Sequence, residues 1–491
     1  MPTSIPGDDG GEESIRNSAI SGAKWTVLDK WGNRLASFAT FAVLAYLLGP
    51  EAFGIVAAAQ VAVALLQTVS EQGVGAALIV RDREDRFTTS TSFWIASAAG
   101  LVGALLLILM APTVADLMNA DELAQVLPAL SLFLLLRGFA IVPEALLQRR
   151  LQFKQLAIRT ILASVFSAIA AISMAVLGFG VWALVAQILI QGAVSLMAVL
   201  AYARIRLTLV VSISSAKEIL AFGWRVFLVD LATVGVAQGD KLVVGALLGP
   251  VALGYYTIAY RALNVFVDAF TGVMSVMATP VFARLRSNVE YSAIVHERVT
   301  SISLLITIPA FGALALFAPL VVPTVFGPGW NESVALLQII AVGGALSSVT
   351  YFDRGVLYAS NRAGLELIIV TVMAAGTVTA ALAGAQYGLT AVAVAVTARV
   401  LLTVPLRVGV VSSVLRVPWF SYVRSWAAPL VCGGVVALSV LLLRANGVVG
   451  GGWLATVGIG AGGVTAYLIG IFLTDRNLLF RTVRVLRSRR M

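Results

Sequence analysis

The stretch LLGPEAFG occupies Leu47–Gly54, and LLGPVALG occupies Leu247–Gly254. The copies begin 200 residues apart, and each joins two long apolar segments. A repeat of this kind is read first because it sets the architecture. The segments before the two copies carry ionisable groups: Asp29, Lys30 and Arg34 precede the first, and Asp230, Asp240 and Lys241 precede the second. A duplicated apolar block with charges at matching places is the pattern of a transporter with a central polar path.

Composition agrees. Hydrophobic residues make up 59% of the chain and charged residues 12%, and the mean hydropathy is +0.96. A soluble domain of this length needs far more polar surface, so the fold class is an all-α polytopic membrane protein. Residues 1–21 are polar and acidic, lack the basic-then-apolar order of a signal peptide, and are expected to form a disordered cytoplasmic tail. The single cysteine, Cys432, excludes a disulfide or a cysteine-based metal site. The single histidine, His296, stands beside Glu297 and Arg298 and is expected to be solvated.

A bilayer-crossing helix needs about 20 mostly apolar residues, and on that rule the chain holds about fourteen spans. The joints at Gly49-Pro50, Gly178 and Gly249-Pro250 are short, so their flanking helices form tight hairpins. Six spans separate the octets, which gives the two halves the same orientation. The expected organisation is an N-lobe of six helices (22–203), a linker (204–216) and a C-lobe of six helices (217–413). A trailing pair follows (414–473), then a basic tail (474–491) that lies on anionic headgroups. Lysine and arginine concentrate in alternate connections, including Arg81, Arg83, Arg149, Arg150, Lys154, Arg284, Arg286 and Arg416. Those connections and both termini are therefore placed on the cytoplasmic side. The net charge of +10 belongs to these loops and to the tail, not to a nucleic-acid surface.

Several charges fall inside spans. Lys30, Asn33, Arg34 and Ser37 follow helical spacing, as do Asp230, Thr233, Gln238 and Lys241. Arg261, Asn264 and Asp268 do the same in the next helix. Arg137 falls in the inner half of the fourth span and Arg399 near the middle of the twelfth. An ion at the bilayer centre costs roughly 2.5–3.5 kcal/mol on insertion scales, so these cations face a shared aqueous cavity or pair with acids. Asp240 with Lys241 and Asp353 with Arg354 are candidate structural pairs, while Lys24, Arg225 and Glu71 lie near span ends and snorkel. The cations Lys30, Arg34, Arg137, Lys241, Arg261 and Arg399 are the candidate substrate contacts. Their excess points to an anionic group such as a pyrophosphate, which guanidinium forks suit. Asp29, Asp230, Asp240 and Asp268 are candidates either for binding a coupling proton or sodium ion or for neutralising the arginines.

On AYLLGPEAFG (45–54), EQGVGAALI (71–79) and LLQRRLQFK (146–154), the chain resembles the oligosaccharide flippases. These are the Wzx-type proteins of the polysaccharide transporter family, within the MOP superfamily. It is most similar to the colanic-acid and teichuronic-acid exporter branch. The resemblance implies a V-shaped, MATE-like arrangement of two six-helix lobes in the bacterial cytoplasmic membrane. It also implies translocation of undecaprenyl-pyrophosphate-linked oligosaccharide to the outer leaflet, with polysaccharide polymerase and glycosyltransferases as candidate partners. Basic residues of helices 1, 2, 7 and 8 would contact the pyrophosphate. Arg34, Lys241 and Arg261 match by helix, whereas helix 2 has no basic residue. The competing readings are a flippase for the peptidoglycan precursor lipid II and a cation-coupled, MATE-like small-molecule exporter. The exporter would favour acidic rather than basic central residues. No nucleotide, metal or nucleophile motif stands out, so the chain reads as a transporter without a cofactor rather than as an enzyme.

Overall fold

The computed structural model describes residues 36–71, 74–80, 85–205, 212–445 and 453–488, and side chains at most of them. Asp29, Lys30, Arg34 and the tail 1–21 lie outside the described residues, as do part of the linker (206–211) and the side chains of Asp268 and 475–488. Among the described residues the chain is helical, with no strand. In chain order the first helices are α1 (Ala36–Leu47), α2 (Pro50–Glu71), α3 (Val74–Val80), α4 (Arg86–Leu117), α5 (Leu123–Arg149), α6 (Phe153–Val176), α7 (Val181–Ala203) and α8 (Ile213–Arg284). Then come α9 (Val289–Phe326), α10 (Glu332–Ser347), α11 (Asp353–Ala359), α12 (Ala363–Ala385), α13 (Leu389–Leu415), α14 (Trp419–Ala445) and α15 (Trp453–Ser488).

Eleven helical segments are long and apolar enough to cross a membrane, so the chain is a multi-pass membrane protein. Length and composition thus give eleven such segments among the described residues, not the fourteen expected. Two apolar helices, Ala36–Leu47 and Trp426–Val440, fall short of the length, and one segment, Phe227–Val267, is folded upon itself. That segment lies in α8, where Gly249 takes φ 82° and ψ 177°. A positive φ is cheap only for glycine, and the following proline starts the second arm. The second octet is therefore a hairpin joint, as its composition implies.

One of the eleven, Glu332–Ala359, is interrupted. Here α10 ends at Ser347, a 3-10 turn covers Ser348–Thr350, and α11 starts at Asp353. Ser348 and Thr350 donate their hydroxyls to the carbonyls of Ala345 and Ser347. Such bonds offer the backbone an alternative to the helical ladder.

The chain divides into two compact units: Met1–Val234 with Gly249–Val251, and Gly235–Leu248 with Ala252–Met491. In the first, α4 packs along α5, and α6 along α7. The α4–α5 crossing is set by size. A Cβ at Gly100 would stand 2.8 Å from the Leu134 carbonyl, and one at Gly138 would stand 2.8 Å from that of Ala96. Small residues let backbones approach in this way inside a bilayer, where dispersion replaces the hydrophobic effect. Leu123, Leu127 and Leu134 are buried between the helices, while Leu101, Leu105 and Leu109 point outward, as lipid-facing residues do. Outside the span, Asp85 caps α4 by accepting the Thr88 N–H at 3.0 Å. That backbone bond holds the carboxyl below its ordinary range.

In the second unit α12 packs on α13, α10 on α9 and α13, and α14 and α15 on α9. Its core gathers Phe282, Leu304, Val349, Phe352, Val356, Val411 and Trp426. An apolar cavity of about 520 Å³ lies among α9, α10, α14 and α15, lined by Phe311, Leu316, Leu430 and Tyr467 among others.

Candidate functional site

Among the described residues three polar clusters interrupt the apolar helices, one in the first unit and two in the second. They differ in how completely their charges are matched.

The cluster in the first unit joins α2, α5 and α6. Arg137 reaches Glu71 Oε1 through Nε (3.1 Å) and Glu144 Oε2 through Nη1 (2.7 Å), and Arg159 Nη1 lies 3.0 Å from the same Glu144 oxygen. Gln67 Nε2 donates to Glu71 Oε1 at 2.8 Å. Two guanidinium groups meet two carboxylates, so the quartet is electrically closed. Arg137, expected from sequence as a substrate contact, thus has its guanidinium engaged by two carboxylates. Glu71 binds Arg137 as well as lying near a span end.

The second cluster is built by the hairpin in α8. Folding at Gly249 brings Tyr256 against Asp240, sixteen residues earlier: the tyrosine O–H donates to Asp240 Oδ2 at 2.8 Å. Both are buried, at 0% and 3% exposure. Tyr260, one turn after Tyr256, stands 3.5 Å away oxygen to oxygen. Successive residues on a helix point about 100° apart, so Lys241 faces elsewhere than Asp240. Its Nζ donates to Gln238 Oε1 at 3.1 Å and stands 5.8 Å from the centre of the Tyr260 ring. The sequence neighbours Asp240 and Lys241 are therefore not a side-chain ion pair; the Asp240 carboxylate accepts the Lys241 backbone N–H instead.

Arg261, on the second arm of α8, is exposed and close enough to Lys241 for the two charges to repel. Arg399, from α13, acts electrostatically on Asp240 and Tyr260, and its Nη1 donates to the Met373 carbonyl at 3.3 Å. The Arg399 Nε is shielded from solvent without a hydrogen-bond acceptor. Lys241 and Arg399 thus spend their donors on neutral oxygens. Both act on the one buried carboxylate Asp240, and Arg261 stands beside Lys241. Of the other expected residues, Asp230 belongs to the first unit and is exposed.

The third cluster was not anticipated. Arg407 of α13 clasps Glu366 of α12 through Nη2, at 3.1 and 2.9 Å, and its Nε lies 3.5 Å from Asp353 Oδ2. His296 Nε2 donates to Asp353 Oδ1 at 2.8 Å. Arg354 stands 3.9 Å from Glu366 and stacks on Tyr358. The expected Asp353–Arg354 pair is thus replaced by partners on other helices. His296 is 1% exposed, which corrects the expectation of a solvated side chain. The charged neighbours Glu297 and Arg298 are exposed on the opposite side of α9. The signal was a stripe at helical spacing: Ser292, His296, Thr300, Ser303 and Thr307 are all buried on one face.

Comparison with known proteins places the chain in a family. Residues 43–335, more than half of the chain, match the family described as polysaccharide biosynthesis protein. The succinoglycan biosynthesis transport protein ExoT of Rhizobium meliloti is 28% identical over 65% of this chain, a match that spans 64% of ExoT itself. The teichuronic acid biosynthesis protein TuaB of Bacillus subtilis is 26% identical over 72% of this chain and 73% of its own length. In fold the chain is similar to the lipid II flippase MurJ, with a TM-score of 0.73 over 94% of this chain and all of that one, at 15% identity. That likeness speaks for the architecture alone. The match over more than half of the sequence makes the chain a member of the polysaccharide biosynthesis protein family.

Proposed function

We propose that this protein is a flippase for undecaprenyl-pyrophosphate-linked oligosaccharide, carrying it from the cytoplasmic to the outer leaflet for surface polysaccharide synthesis. Lys241, Arg261 and Arg399 hold the pyrophosphate. The observation that carries the reading is that Lys241 and Arg399, both acting on the single carboxylate Asp240, spend side-chain donors on neutral oxygens and not in salt bridges. Each charge-assisted hydrogen bond to a phosphate oxygen contributes about 1.5–3 kcal/mol. Two or three of them hold the headgroup while its polyprenyl tail stays in lipid. Asp240, fixed by Tyr256, sets the cluster's rigid back. A cation exporter needs the reverse charge balance, which disfavours that alternative.

In this reading the protein lies in the bacterial cytoplasmic membrane with both termini inside, and it works beside the glycosyltransferases and polymerase that make and consume its substrate. A proton or sodium ion drives it.

The test is made in a strain lacking the protein. Its undecaprenyl-linked lipids are extracted and weighed by mass spectrometry, and surface polysaccharide is scored. An oligosaccharide pyrophosphate accumulates on the cytoplasmic side, and the wild-type protein clears it while Arg399→Ala and Arg261→Ala do not. Unchanged lipid-linked glycans in the deletion strain would overturn the assignment.

A further inference from the structure

The buried members of the third cluster are two carboxylates and one guanidinium. Glu366, Asp353 and Arg407 are 1%, 2% and 7% exposed, so the set is desolvated. Arg407 commits Nη2 to both oxygens of Glu366 and approaches Asp353 only through Nε, at 3.5 Å and without hydrogen-bond geometry. The other cation, Arg354, is 45% exposed and lies on the Glu366 side at 3.9 Å. Asp353 therefore has a single short hydrogen bond, to His296. A buried carboxylate without a matching charge costs several kcal/mol, and the imidazole is the group placed to supply that charge.

We propose that His296 and Asp353 form a proton-binding site whose occupancy controls the joint between α10 and α11. When a proton from water loads the pair, the imidazolium N–H···carboxylate bond makes the buried set neutral and ties α9, α11, α12 and α13 together. When the proton returns to water, Asp353 and Glu366 share one guanidinium. The strain is relieved by parting α11 from α9. The chain is already interrupted there, at the 3-10 turn Ser348–Thr350, where Thr307 of α9 holds Ser348 by a 3.0 Å hydroxyl bond. Interrupted spans are where transporters bind their coupling ions. The groups facing the pair are Arg407 from α13, Glu366 from α12 and Arg354 from its own α11. From α8 comes the Phe282 ring, 5.9 Å from the imidazole. From α14 the neighbouring core contributes the apolar face of Trp426. A cavity of about 20 Å³, lined by Phe282, Arg286 and Ser292 among others, lies one turn along α9 from His296 and is large enough for a water molecule.

Because the chain has one histidine, the imidazole can be watched directly. Protein labelled with nitrogen-15 histidine, in lipid nanodiscs, gives a single pair of ring signals. Wild type is expected to show imidazolium in mildly acidic buffer and the neutral ring in mildly alkaline buffer. The change should be matched by a loss of hydrogen-exchange protection over 348–359. Asp353→Asn, which removes the charge but keeps the shape, should lose the imidazolium state. A ring that stays neutral in both buffers, or a switch that survives Asp353→Asn, would overturn the site. These spectra involve no glycan, so they judge the site even if the flippase assignment fails.

The transport arm rests on that assignment. In vesicles, an imposed pH gradient should accelerate movement of the lipid-linked oligosaccharide by wild type. His296→Gln should keep the gradient-independent rate and lose the acceleration. An acceleration that persists in His296→Gln would break the link to transport.

Discussion

The second unit holds two arginines of α13 within eight positions of each other, Arg399 and Arg407, in opposite circumstances. Arg407 is buried, clasps a carboxylate with both of its oxygens and has a second carboxylate at 3.5 Å. Arg399 is half-buried, reaches a backbone carbonyl and leaves Nε without an acceptor. The cost of placing an ion in a membrane is met at Arg407 by pairing within the fold. At Arg399 the fold meets it with a backbone carbonyl and the field of Asp240. An intramembrane arginine is thus sorted by its partners, not by its depth. The paired one fixes helices, and the under-partnered one is, under the proposed function, the one that takes the pyrophosphate.

The largest effect that follows is at Arg407. Its replacement by alanine leaves Glu366 and Asp353 buried together without their cation, and breaking a buried pair in this way costs about 3–5 kcal/mol. Thermal unfolding of purified Arg407→Ala should show that loss. The double change Glu366→Leu with Arg407→Met should recover most of it, because apolar groups of similar size can replace a buried pair. Equal damage by single and double variants would mean that the charges do more than balance one another.

Arg399→Ala comes next, and its damage should fall on binding. Losing one charged hydrogen bond to a phosphate weakens lipid pyrophosphate binding by about 1.5–3 kcal/mol. Its unfolding temperature should stay near that of wild type. Binding to a polyprenyl pyrophosphate in nanodiscs, set beside the unfolding curve, separates the two arginines. A destabilised Arg399→Ala with unchanged affinity would erase the contrast.

Arg137 tests whether the contrast extends to the first unit. Sequence reading placed it among the substrate contacts, but it sits between Glu71 and Glu144 and is 30% exposed. Solvent screens a pair so placed, so Arg137→Ala should cost about 1 kcal/mol of stability. It should leave pyrophosphate affinity as it was. A loss of affinity matching that of Arg399→Ala would return Arg137 to the substrate site.

These cases show which features the sequence makes legible. The spans, the duplicated octet and the hairpin at Gly249 are local properties of composition, and they were readable. So were the positions of Lys241, Arg261 and Arg399, because a charge in an apolar run is conspicuous. Their partners were not, since pairing across helices depends on rotation and depth. Glu366 lies 41 residues from Arg407, and nothing along the chain links them. Asp240 and Lys241 mislead for the same reason: adjacency in sequence turns side chains apart on a helix. His296 was masked by its charged neighbours, although the hydroxyl stripe from Ser292 to Thr307 marks the buried face of α9. The break between α10 and α11 was hidden because 333–358 is apolar on average, and Ser348 and Thr350 spend their hydroxyls on the backbone.

The smallest effect expected lies behind the cationic cluster, where two tyrosines one turn apart play different parts. Tyr256 is fully buried and supplies a 2.8 Å bond to Asp240. Tyr256→Phe removes the donor and leaves a desolvated carboxylate oxygen unsatisfied, a loss of about 1 kcal/mol or more in stability. The oxygen of Tyr260 stands 3.5 Å from that of Tyr256, too far for a strong bond. Tyr260→Phe keeps the ring beside Lys241 and should change stability by no more than a few tenths of a kcal/mol. Unfolding curves for the two variants measure the difference. If Tyr260→Phe were the more damaging, Asp240 would be held from the open side of the cluster, and the rigid back assigned to the cationic site would lie elsewhere.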